Sequence, residues 1–207
     1  MQKKTNLELS RKLFHIFFGI TYILFYLLLP FHIFVIITAL FGVITLMSMY
    51  IANTNKNSIF KNTARNSSPL KGIGSLLYLL GLIVVVILEQ QGFISKEIVV
   101  YAFITLAVGD GLATPIGKAS GSFMKSKLFS KSYLGYLGGI VGSLLVSFII
   151  LRIFNIPLIL INMISLVIVG MTIELILGHR WIKKYAHIYA LDNICIPLGI
   201  VIVAIAL

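Results

Sequence analysis

Three carboxylates stand where a carboxylate is costly. Asp110, Glu174 and Asp192 lie in or against long apolar stretches of a 207-residue chain that has only six acidic residues. An acid near the middle of a hydrophobic span costs roughly 2.5–3.5 kcal/mol by insertion scales, so such groups face a protected interior and carry function. Asp110 sits between two glycines in AVGDGLATPIGK. Glycines at 109, 111 and 117 let backbone and a bound ion come close, and Lys118, two turns on, supplies positive charge for phosphate. The spacing is not that of a Walker loop.

A second group is N-terminal. In NLELSRKLFHIFFG the three- and four-residue rule puts Glu8, Arg11 or Lys12, His15 and Gly19 on one helical face. His15 falls about a turn into the span, whereas the basic pair also suits a helix end with snorkelling side chains. A third group, SKSYLGYLGG, sets Lys131 and Ser132 at a helix start, where a hydroxyl also serves as a cap. Glu174 lies in GMTIELILGHR with Arg180 as a possible salt-bridge partner, and Asp192 and Asn193 open the last apolar segment, where an Asp is an ordinary helix start.

The elements that must position these groups are membrane helices. Hydrophobic residues make up 59% of the chain and charged residues 11%, which excludes a soluble domain and predicts a single all-α polytopic membrane domain over 1–207. About seven transmembrane helices are expected, at roughly 12–29, 31–52, 72–88, 97–117, 134–153, 156–178 and 190–207. No small-residue cleavage site follows the first, so it reads as a retained span. With the N terminus cytoplasmic, all of the 17 basic residues except Lys96 and Arg152 collect on the inner side. That basic face suits anionic membrane lipids; nucleic acid is excluded because no soluble module is present to read it.

Packing signals accompany the charges. Gly135, Gly139 and Ser143, and likewise Gly138 and Gly142, recur at the four-residue spacing that lets helix backbones approach. Pro115 removes a helical donor from the carbonyl of Gly111, so a kink or unwinding is expected around Asp110. Cys195, alone in the chain, has no disulfide partner or metal-ligand spacing and reads as a packed residue.

On this topology Glu8, His15, Asp110, Lys118, Lys131, Glu174 and Asp192 all fall near the cytoplasmic boundary. Carboxylates among lysines suit a divalent ion carrying a polyphosphate, and phosphoryl or nucleotidyl transfer needs little beyond positioning and charge stabilisation. ELSRKLFH, GDGLATPIGK, KSYLGYLGG and DNICIPL, in this order along nearly the whole chain, resemble the dolichol kinase, phytol kinase and yeast-type diacylglycerol kinase group. These membrane enzymes phosphorylate lipid alcohols, typically from CTP, and are distant relatives of phosphatidate cytidylyltransferases. The cytidylyltransferases typically carry Ser-Pro-Lys-Lys-Thr-x-Glu-Gly; SKSYLGYLGG lacks both that proline and that glutamate.

The resemblance implies transfer of the γ-phosphate of CTP, or another nucleoside triphosphate, to an isoprenoid alcohol or diacylglycerol at a cytoplasm-facing site. Asp110, Glu174 and Asp192 are expected to hold Mg²⁺. Lys118, Lys131, Arg11, Lys12 and Lys71 would neutralise the triphosphate, with Gly109, Gly111, Gly117, Ser132 and Asn193 beside it. His15 or one of the carboxylates would orient or deprotonate the lipid hydroxyl. The rivals are a cytidylyltransferase acting on a lipid phosphate and, more remotely, a small transporter.

Overall fold

Apolar runs in a membrane must satisfy their own backbone hydrogen bonds, and here they do so as helices. The computed structural model describes residues 2–54, 73–119, 132–177 and 191–207, apart from the side chains of residues 2–8 and Ala52. The described residues form α1 (Gln2–Leu28), α2 (Phe31–Thr54), α3 (Ile73–Gln90), α4 (Lys96–Ala119), α5 (Tyr133–Ile153), α6 (Leu160–Leu177) and α7 (Asp192–Ala206), with no strand among them. Six of these are long and apolar enough to cross a bilayer. The expected seventh span is shorter in the described chain: α7 has 15 residues, about 22 Å at 1.5 Å per residue, against a hydrocarbon core of about 30 Å.

Local chemistry sets the turns. Pro30 follows α1, and its carbonyl accepts the N–H groups of Ile33 and Phe34 to begin α2. Asn155 takes a positive φ of 51° after α5 while the N–H of Ile156 reaches back to the carbonyl of Leu151, the left-handed stop that asparagine tolerates.

The helices surround α4. Of its span, 78% is buried, against 11% for α2 at the periphery. Tyr22 of α1 stacks on Phe103 of α4, and its hydroxyl bonds Thr38 of α2 at 2.6 Å. On the opposite side, Gly135, Gly139, Ser143 and Ser147 form the buried stripe of α5. A Cβ on Gly139 would stand 2.8 Å from the carbonyl oxygen of Gly109, and one on Gly135 would stand 3.1 Å from the Cα of Gly117. Small residues here bring two backbones into contact. Outside, Leu13, Phe14 and Phe17 of α1 and most large residues of α2 are exposed, an apolar surface that only lipid can solvate.

The expected irregularity around Asp110 exists, in the form of a π-helical turn. Thr105–Gly109 form a π-helical turn ahead of Asp110, and the α-helical Asp110–Ala119 segment runs through Pro115. The α4 ladder is thus interrupted twice, by the inserted turn just before Asp110 and by the donor that Pro115 lacks.

Candidate functional site

The N-terminal face and the glycine-flanked carboxylate meet inside the bundle. Lys12 Nζ lies 2.5 Å from Asp110 Oδ2 and also donates to the Asp110 carbonyl at 3.1 Å. Both residues are buried. Of the two basic residues the face could offer, Lys12 turns inward. Its ammonium is the counter-charge of the Asp110 carboxylate.

His15, a turn further along α1, joins them. Its Nε2 is 3.2 Å from the carbonyl of Leu106 and 3.7 Å from Asp110 Oδ2. The π-helical turn explains that contact. The N–H of Asp110 bonds the carbonyls of Ala107 and Thr105, passing over Leu106. The Leu106 carbonyl thereby loses the donor four residues on that an α-helix would supply, and the imidazole takes that place. A carbonyl can only accept, so Nε2 carries the proton and the neutral ring keeps its lone pair on Nδ1. π-helical turns within α-helices recur at functional sites; this one sets a histidine tautomer.

A third helix closes the group. The Tyr78 ring of α3 meets the His15 ring edge-on, with centroids 4.6 Å apart. Its hydroxyl is buried and has no hydrogen-bond partner among the described residues. Tyr78 and the Leu106 carbonyl were not legible from motifs. An aromatic in an apolar run gives no sign of its partner, and a backbone carbonyl carries no sequence signal.

The remaining expected residues divide. Asp192, the first residue of α7, lies within Coulombic range of His15. It does not cap the helix by side chain in the usual manner; the cap position is Leu191, and Asp192 Oδ1 accepts the N–H of Asn193. Asn193 Nδ2 donates to the carbonyl of Gly74 at 2.8 Å, tying α7 to α3, where a nucleotide contact was expected. Gly109 packs toward Ser143 and Met171, and Gly111 toward Ile16 of α1. Both are helix-contact glycines, not backbone left open to a ligand. Gly117 lies beside Ser132, whose Oγ accepts the N–H of Gly135 and caps α5. Lys118 is exposed in the last turn of α4, and Arg11 is partly exposed. Glu174 is buried in the last turn of α6. Lys71, Lys131 and Arg180, and the side chain of Glu8, lie outside the described residues.

Among the described residues no three His, Cys, Asp or Glu side chains come together as a metal-holding group, so Asp110, Glu174 and Asp192 do not form one. Asp110 faces an ammonium instead. The donor set does not fit a protein-built Mg²⁺ cage.

The fold defines an all-α, multi-pass membrane protein with a buried Lys–Asp–His cluster between its first and fourth helices. No family model matches the chain, and no curated protein or solved structure matches it.

Proposed function

We propose that the protein is a membrane lipid-alcohol kinase that transfers the γ-phosphate of CTP, or another nucleoside triphosphate, to an isoprenoid alcohol or diacylglycerol. The observation that carries this reading is the convergence of Lys12 and His15 of α1 on Asp110 of α4. These residues come from ELSRKLFH and GDGLATPIGK, two of the motifs that carry the kinase resemblance.

The chemistry follows from the tautomer. His15 Nδ1 accepts the hydroxyl proton as the alcohol oxygen forms a bond to the γ-phosphorus. The bond between that phosphorus and the β–γ bridging oxygen breaks, and the nucleoside diphosphate leaves with the electron pair. The carboxylate near Nε2 stabilises the imidazolium that results, the part an aspartate plays for a catalytic histidine elsewhere. Lys12 pairs with that carboxylate. Lys118 lies eight residues beyond Asp110, about 12 Å further along the helix, a separation that a triphosphate chain spans in part. Mg²⁺, if used, would be held by the substrate phosphates and water together with at most one or two carboxylates, and would supply charge neutralisation.

The test uses purified protein in vesicles with a C20 isoprenoid alcohol or diacylglycerol and CTP labelled at one phosphorus. Label from the γ position should appear in lipid. Label from the α position in lipid would identify nucleotidyl transfer instead, and no transfer of either would overturn the reading.

A further inference from the structure

Tyr78 has a polar group that the resting protein does not use. It is 4% exposed, its hydroxyl has no hydrogen-bond partner among the described residues, and its ring lies against His15. A buried hydroxyl left unpaired is unfavourable, since it has given up water and gained nothing. The penalty is avoidable: phenylalanine would fill the same space without a polar atom.

The neighbours of that hydroxyl are backbone and small groups. A Cβ on Gly19 would stand 2.5 Å from the phenolic oxygen and would also strike Ala107. Glycine at 19 therefore gives the phenol its place between α1 and α4. Ala107 adjoins Leu106, whose carbonyl holds the imidazole. Phenol and imidazole thus lie side by side against the same stretch of α4.

We propose that Tyr78 is a substrate-binding residue whose hydroxyl donates a hydrogen bond to the oxygen of the incoming lipid alcohol, holding it beside His15. This rests on the lipid-alcohol reading above. The alcohol has one oxygen with two lone pairs and one proton. Tyr78 takes a lone pair, and the proton is left to point at the imidazole. A site that bonds a substrate hydroxyl also rejects the analogue lacking it, because its own polar group then stays unpaired. Tyr78 is accordingly a source of discrimination between an alcohol and a hydrocarbon of equal length.

The experiment measures thermal unfolding of the purified full-length protein in detergent, with a C20 isoprenoid alcohol and with the matching hydrocarbon. Wild type should be stabilised more by the alcohol. Tyr78→Phe should fold and lose that difference, with affinity for the alcohol falling about tenfold. Gly19→Ala, which displaces the phenol, should reduce it too. In the transfer assay Tyr78→Phe should raise KM for the alcohol more than it lowers kcat. A Tyr78→Phe protein that keeps the full alcohol-specific shift overturns the proposal, as does one that fails to fold, which would make the hydroxyl structural. Wild type without any such shift overturns it as well. If wild type shows the shift and Tyr78→Phe loses it while no label reaches lipid, the kinase reading fails and Tyr78 as an alcohol-binding residue stands.

Discussion

Lys12 and Asp110, 98 positions apart in sequence, share a buried ion pair with Nζ 2.5 Å from Oδ2. The pair joins the first helix to the most buried one. It also turns two separate motifs into a single electrostatic unit, because neither charge is stable at that depth without the other.

Removing one partner should therefore be worse than removing both. Lys12→Met and Asp110→Asn are each expected to destabilise the protein by about 3–5 kcal/mol, with the double variant less affected than their sum. Thermal unfolding of the four proteins in detergent closes the cycle. Additive effects would show that the two groups do not interact.

His15→Gln separates the two nitrogens of the ring. The glutamine amide can still donate to the Leu106 carbonyl but offers no basic nitrogen. Phosphoryl transfer should fall by about 10²–10⁴-fold while the unfolding midpoint stays near that of wild type. A fully active His15→Gln protein would remove the histidine from the chemistry.

The α4–α5 contact predicts a contrast between glycines. Gly139→Ala directs a methyl group at the Gly109 carbonyl, 2.8 Å away, and at Met171, and should destabilise by about 1–3 kcal/mol. Gly42→Ala, with nothing within 4 Å of the new Cβ, should be neutral or stabilise by up to about 1 kcal/mol through helix propensity. Equal effects at the two positions would deny that α4 and α5 pack backbone to backbone.

Orientation can be read by labelling. In a Cys195→Ser background, Phe93→Cys lies in the turn between α3 and α4, and Ala119→Cys ends α4 at the other end of the bundle. With the charge-derived topology, a membrane-impermeant maleimide should modify the first in intact cells and the second only after permeabilisation. The reverse pattern would put the basic end outside.

Much of this architecture is written in local sequence. Apolar runs separated by Pro30, by Gly92 and by Asn155 define helix ends closely, because a span needs a minimum length and these residues interrupt it. The face Glu8–Arg11/Lys12–His15–Gly19 was also legible, since helical periodicity alone brings those positions together. The choice between Arg11 and Lys12 was not: adjacent residues lie 100° apart on a helix, and which one turns inward depends on what waits there.

The sequence by itself determined a helical membrane domain, the positions of six long spans, and the rarity and value of its buried acids. Those properties follow from composition and period, which act within one segment at a time. Three-dimensional packing settled that Asp110 takes Lys12 as its counter-charge, that among the described residues Asp110, Glu174 and Asp192 do not gather into one group, and that a π-helical turn releases the Leu106 carbonyl to His15. Each depends on the rotation and register of one helix against another. Those are set by side-chain volumes at the contact, such as Gly19 against Tyr78 and Gly139 against Gly109, which have meaning only once the partner is present.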